Sequence, residues 1–147
     1  MNKWNNRFME LAKHISTWSK DKSRGVGAVI VSDEKRILSI GFNGFPSGIN
    51  DDIEERHQRP AKYKWTEHAE RNAIYNAGKH GISLQGATMY VTLFPCTDCA
   101  RAIIQSGIKM LITKAPNFND SKFGEDFKVS QEMLNEANVG ILLIEKI

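Results

Sequence analysis

Cysteine is nearly absent from this sequence. There are two among 147 residues, and both fall in the run Pro95-Cys96-Thr97-Asp98-Cys99. A disulfide framework needs dispersed pairs and an oxidising compartment, neither of which is visible, so these thiols read as metal ligands or redox groups. Long apolar runs are missing too, and nothing approaches the roughly 18 residues that suggest a membrane span. In the N-terminal segment, Trp4, Phe8, Leu11, Ala12, Ile15 and Trp18 follow helical spacing and would share one face. That face suits a core-packing helix, with an interfacial membrane helix as the weaker alternative. The segment does not read as a signal peptide, so the expected compartment is the cytoplasm, with no membrane partner. Excess charge of one sign is also lacking: the formal net charge is +3, with acidic and basic residues interleaved. A nucleic-acid polymer, which calls for a basic face or stripe, is therefore not an expected partner. A small anionic substrate remains open, because one phosphate needs only a few local donors.

What is present is an ordinary globular composition, 41% hydrophobic and 25% charged. The length suits one domain over residues 1–147 with a single core. Repeats, low-complexity tracts and linkers are not seen. After the first helix, GVGAVIVSD and RILSIGFNG form two strand-like runs joined by a plausible hairpin. Residues 45–65, rich in Gly, Pro and charge, read as a long functional loop. A helix follows over EHAERNAIYNAGKHG, with Ala69, Ala73, Ile74 and Ala77 on one side. GATMYVTLF is a third strand, CTDCARAIIQSG a helix and IKMLIT a fourth strand. FKVSQEMLNEAN is a last helix with Ser130 as its expected N-cap, and VGILLIE a last strand. The order α-β-β-α-β-α-β-α-β predicts an α/β fold, a three-layer α/β/α sandwich with a five-stranded mixed sheet. Strands separated by a helix should run parallel.

Chemistry-bearing residues fall at two of these helix starts. His68 and Glu70 open one helix, and Cys96 and Cys99 open another. Cys-x-x-Cys spacing lets both sulfurs turn toward one point, where the helix's positive end and a metal favour thiolates. With His68 as third ligand, a tetrahedral zinc keeps its fourth position open, as catalytic and not structural sites do. Glu70, two residues after His68, can enter the pocket without binding the metal and move protons. Alone, Cys-x-x-Cys also fits a redox pair or a structural zinc site, and His-x-Glu says little. A structural site would need a fourth ligand, whereas His14, His57 and His80 lie away from ligand spacing and are expected on the surface. Together the pieces resemble the established signature of zinc deaminases, His-x-Glu followed by Pro-Cys-x-x-Cys.

A more specific resemblance spans Ser19 to Ser121. The blocks SKDKSRGVGAVIV, ILSIGFNGFPSGINDD, KYKWTEHAERNAIYNA, GATMYVTLFPCTDCARAIIQSGIK and NDS resemble the deoxycytidylate (dCMP) deaminase family of the cytidine deaminase superfamily. The resemblance implies a cytidine deaminase-like fold and hydrolysis of dCMP to dUMP and ammonia, supplying the dTMP precursor. Water activated by one catalytic Zn2+ would attack carbon 4 of cytosine while Glu70 protonates ring nitrogen 3 and then the departing amine. By analogy the Ala69 backbone N–H would fix the base carbonyl, the Pro95 carbonyl would face the amine, and Asn43 would contact the sugar. Turn chemistry between two glycines is the other reading of Asn43. Lys22, Ser23 and Arg24 are candidate phosphate donors, with arginine able to grip bidentately. They read equally well as a solvated loop, and Gly25 stands where family members often carry lysine. Tyr63 and Trp65 either line the pocket or merely pack. Phe118 replaces a common tyrosine, keeping a stacking face without the hydroxyl. The alternative function is thus a related deaminase acting on a 5-substituted dCMP or another nucleoside or nucleobase.

The resemblance also implies a hexameric homo-oligomer activated by dCTP and inhibited by dTTP. Gly41, Phe42, Asn43 and Gly44 would take part in the regulatory site, and Mg2+ would accompany the nucleoside triphosphate there. The glycines have a second reading, as requirements of backbone geometry.

Overall fold

The computed structural model describes residues 2–145, so the outermost positions of the expected 1–147 domain lie outside the described residues. Its elements are α1 (Lys3–Ser16), β1 (Gly27–Val31), β2 (Ile37–Phe42), a 3-10 turn (Glu54–His57), α2 (Lys62–Trp65), α3 (Ala69–Lys79), β3 (Thr88–Val91), α4 (Thr97–Gln105), β4 (Met110–Lys114), α5 (Gly124–Glu136) and β5 (Gly140–Ile144). The strands form one mixed sheet in the order β2-β1-β3-β4-β5. β1 runs antiparallel to both β2 and β3, while β3, β4 and β5 run parallel. This is the expected α/β/α sandwich with a five-stranded mixed sheet.

Strand alternation sorts the core into two layers. Val29, Val31, Tyr90 and Ile112 pack with Phe8, Met9, Ala12 and Ile15 of α1. On the other face Ala28, Ile30, Met89, Val91 and Leu111 meet Ala69, Ala73 and Ala77 of α3, Ala100 and Ile103 of α4, and Leu134 of α5. Asn2 caps α1, its side chain accepting from the Asn5 N–H at 2.8 Å. The alanine face lets α3 lie close on β2. At Gly41 a Cβ would fall 2.5 Å from the Ala69 carbonyl oxygen and clash with the Ala73 nitrogen. The strand directions bring the chain before β1 and the segments after β2, β3 and β4 to one end of the sheet. In open α/β sheets that end is where ligands bind.

Three expectations need correction. Residues 45–65 are not structureless, since they hold the 3-10 turn and α2. A ring stack organises them: Phe45 lies 4.6 Å from the His57 ring, and the Arg56 guanidinium sits 4.0 Å over Trp65. His57 is consequently half-buried and not a surface residue. Ser130 is not an N-cap. α5 starts six residues earlier, after a turn in which Asp120 Oδ1 accepts from the N–H groups of Lys122 and Phe123 at 2.9 and 2.8 Å. Ser130 lies inside the helix, fully buried, with its hydroxyl unpartnered among the described residues.

Candidate active site

His68 is the N-cap residue of α3 and Cys96 that of α4, both with extended backbone, and neither side chain caps its own helix. Freed from capping, these side chains converge. Each sulfur lies 3.4 Å from His68 Nδ1, and the three donor atoms all fall within 4.8 Å of one another. A tetrahedral ion at zinc–sulfur and zinc–nitrogen bond lengths separates sulfur from nitrogen by about 3.6 Å, so the triad's size and donor chemistry fit zinc. Cys99 is buried, Cys96 half-buried and His68 exposed, which leaves the triad open on the His68 side.

The electrostatics of the triad are those of shared charge. Hydrogen bonding from Cys99, with support from His68, brings the Cys96 thiol down to about 4, although burial opposes this. Cys99 moves the other way, raised by its bond to Cys96 and by burial. His68 is raised by its contact with Cys96. Negative charge is thereby shared between two sulfurs beside an imidazole whose protonated form they favour, an arrangement that a divalent cation can replace. Glu70, in the first turn of α3, is 5% exposed. Burial, then the negative charge of Cys96, raises its carboxyl above the ordinary range.

The surroundings fix these groups from α3. Glu67 Oε1 accepts the His68 N–H at 2.9 Å and the Arg71 Nε–H at 2.7 Å, and Arg71 also reaches Asp98 of α4 at 3.4 Å. Glu67 and Gly44 exchange backbone hydrogen bonds of 2.8 and 3.1 Å, which ties the segment after β2 to the residue before His68. Spacing of opposite charges four apart in Glu67-x-x-x-Arg71 was the one sequence signal for this brace.

The other residues singled out by sequence lie at the same end of the sheet but differ in engagement. Ala69 and Pro95 are fully buried. Asn43 is 8% exposed, and its amide bridges the backbone: Oδ1 accepts from Val26 N–H at 2.8 Å while Nδ2 donates to the Arg24 carbonyl at 2.9 Å. Lys22, Ser23 and Arg24 are exposed, in a turn built by Asp21, whose Oδ1 accepts the N–H groups of Ser23 and Arg24 at 2.8 and 3.2 Å. Lys22 Nζ lies 3.4 Å from Glu54. A Cβ at Gly25 would run into the Ser16 carbonyl, so a lysine does not fit there. Phe118 is half-buried in the loop between β4 and α5. Trp65 packs in the ring stack, whereas Tyr63 is exposed and its hydroxyl meets Lys122 Nζ at 2.5 Å. Of the proposed regulatory residues, Gly41 serves helix packing, Phe42 meets Trp18 edge-on at 6.0 Å, and a Cβ at Gly44 would make ordinary contact with the Phe42 ring at 3.8 Å.

Three side chains able to hold one metal ion, with an open side and a buried carboxylate on the neighbouring helix turn, form the arrangement expected of a mononuclear zinc site. Residues 2–115 match the family model of the cytidine and deoxycytidylate deaminase zinc-binding region. The chain is 42% identical over 142 residues to an uncharacterized deaminase in the luxG 3′ region of Aliivibrio fischeri, covering 96% of this chain and 93% of that one. It is 41% identical over 141 residues to human deoxycytidylate deaminase, covering 92% and 76%. The crystal structure of the dCMP deaminase from cyanophage S-TIM5, in complex with dCMP and dUMP, superposes with a TM-score of 0.79 at 26% identity over 98% of this chain and 99% of that one. This chain belongs to the cytidine and deoxycytidylate deaminase family.

Proposed function

We propose that the protein hydrolyses dCMP to dUMP and ammonia, with zinc held by His68, Cys96 and Cys99 and with Glu70 as proton carrier. The convergence of that donor triad with a carboxylate 5% exposed supports this reading most directly. Zinc, held by His68, Cys96 and Cys99, would supply an activated water at neutral pH. Glu70 takes a proton from the water as its oxygen bonds to carbon 4 of the cytosine, and passes that proton to nitrogen 3. A second proton, from the new hydroxyl group, then travels through Glu70 to the amine. The carbon–nitrogen bond breaks, ammonia leaves and carbon 4 becomes the carbonyl of dUMP. A carboxyl raised by burial suits a group that must both take and give protons near neutrality. The Ala69 N–H and the Pro95 carbonyl are assigned to the base carbonyl and the amine.

The phosphate is assigned to the exposed turn at Lys22, Ser23 and Arg24. Asn43 then acts by holding that turn through Val26 and Arg24, which leaves one N–H and one lone pair of its amide for a sugar contact. The regulatory part of the proposal places dCTP or dTTP, with Mg2+, beside Phe42 and Gly44. There a cleft of about 210 Å³ is lined by Trp18, Phe42, Phe45 and His57, with Lys20 and Asp51 at its polar side. The Gly44–Glu67 hydrogen bonds would connect that cleft to His68 in a homo-oligomer, hexameric as the resemblance implies. Ammonia release from cytosine, deoxycytidine, dCMP, dCTP and the 5-methyl and 5-hydroxymethyl forms of dCMP tests the substrate. Preference for dCMP is expected; preference for a 5-substituted nucleotide or a free nucleoside would replace dCMP in the assignment.

A further inference from the structure

The helix start that carries both thiols does not cap itself. A residue at the N-cap commonly uses its side-chain oxygen on an orphan N–H of the first turn. Cys96 holds that position in α4 without any side-chain capping bond, its sulfur facing His68 instead. The acceptor comes from another helix. Asp126, in the first turn of α5, accepts the Thr97 backbone N–H on Oδ2 at 2.9 Å and the Thr97 hydroxyl on Oδ1 at 2.9 Å. Thr97 is the residue directly after Cys96. The next residue of α5, Phe127, meets the Phe94 ring edge-on, with centroids 5.7 Å apart and planes at 80°. Phe94 lies two residues before Cys96 and is 1% exposed. Two consecutive residues of α5 therefore grip the chain on either side of Cys96, one by polar contacts and one by packing.

We propose that Asp126 is a positioning residue for the metal: its two hydrogen bonds to Thr97 fix the direction in which Cys96 presents its sulfur. The Cys96 carbonyl accepts the Ala100 N–H at 2.8 Å, which anchors the C-terminal side of the residue to α4 and leaves the orientation of the first turn to Thr97 and its partner. Cys96 sits in extended conformation between a strand end and a helix start, and a small rotation there would swing Sγ away from His68 Nδ1. The paired acceptors of one carboxylate resist that rotation because they engage both the main chain and the side chain of Thr97. Partners of this kind, which orient a ligand without touching the ion, typically change metal affinity or activity by about 10- to 100-fold when removed.

This proposal rests on the zinc reading and is tested on the full-length protein by competition for zinc against a colorimetric chelator, and by the visible and near-ultraviolet spectrum of the cobalt-loaded form. D126A should bind zinc about 10- to 100-fold more weakly and shift the cobalt–thiolate bands. D126N should keep both parameters close to wild type. Its amide oxygen can accept the Thr97 N–H while its amide nitrogen donates to the Thr97 hydroxyl oxygen, so geometry survives without the charge. T97V, which removes only the hydroxyl contact, should fall between them. I15V, in α1 on the opposite face of the sheet, should lower the melting temperature without moving either metal readout. Wild-type competition curves and cobalt spectra in D126A and T97V, with only melting temperature reduced, would overturn the proposal. So would D126N falling as far as D126A, since charge and not hydrogen-bonded geometry would then be responsible. If D126A does not fold, T97V and D126N decide the matter by the same criteria. A wild-type protein without stoichiometric zinc, or C96S binding it normally, refutes the zinc reading itself and is distinguishable from these outcomes.

Discussion

Gly41 offers a test of how the catalytic helix is seated. The perturbation is Gly41→Ala. The added Cβ would lie 2.5 Å from the Ala69 carbonyl oxygen and would also meet the Ala73 nitrogen, whereas ordinary contact begins at 3.4 Å. Backbone atoms cannot rotate out of the way, so α3 must withdraw from β2 by about 0.9 Å, the difference between 3.4 and 2.5 Å. Overpacking of this kind costs about 1–3 kcal/mol, and for a domain of this size that lowers the melting temperature by roughly 2–12 °C. The displaced atoms include Ala69, which stands between His68 and Glu70, and a misplacement of about 1 Å near the chemistry can cost on the order of 100-fold in rate. Gly78 in the same helix supplies the contrast. Nothing lies within 4 Å of a Cβ there, so Gly78→Ala should stabilise by roughly 0.4–1 kcal/mol and leave turnover unchanged. Thermal melts and initial rates of ammonia release from dCMP are the assays. G41A with wild-type melting and wild-type turnover would refute the argument that α3 has no room to move.

Further expectations concern titration. Burial, followed by the charge of Cys96, raises Glu70, so the folded protein retains a proton that the unfolded chain releases, and stability is lost as pH rises through the raised value. In chelator-treated protein, E70Q should therefore melt higher than wild type, by a margin that widens from pH 5 to pH 8; a flat or narrowing margin would contradict this. Asp21 has the opposite sign. Burial works against its carboxylate, but the N–H groups of Ser23 and Arg24 and the Lys62 ammonium, 3.2 Å away, hold it below its ordinary 3.8. Its contribution is present above that value and fades as pH falls through the lowered one, so D21N should cost about 2 kcal/mol at pH 7 and progressively less below pH 4. Chemical denaturation across that range measures it, and a deficit for D21N that grows in acid would refute the assignment.

Much of the fold was legible because the signals were local. Valine- and isoleucine-rich runs, the hairpin between Val31 and Ile37, and alanine and isoleucine at helical spacing in α3 and α4 each carry their own period. The site was legible for a related reason: His68, Glu70, Cys96 and Cys99 all fall at helix starts, where a strand–helix junction turns side chains to a common end of the sheet. What sequence did not reveal depends on distant partners. The 3-10 turn and α2 are organised by Phe45, His57, Arg56 and Trp65 stacking across the segment, which no short window records. The true start of α5 follows from Asp120 closing a turn, while Ser130 had the right residue type at the wrong depth. Asp21 escaped notice because its role is to organise the neighbouring turn, and Asp126 because its partner Thr97 is 29 residues away.

The proposed reaction divides two roles within one small site, metal holding by His68, Cys96 and Cys99 and proton transfer by Glu70. The most direct test measures zinc content and ammonia release from dCMP on the same preparation of Glu70→Gln. One zinc per chain with turnover abolished is the predicted result. Undiminished turnover, or loss of the metal along with the carboxylate, would contradict it.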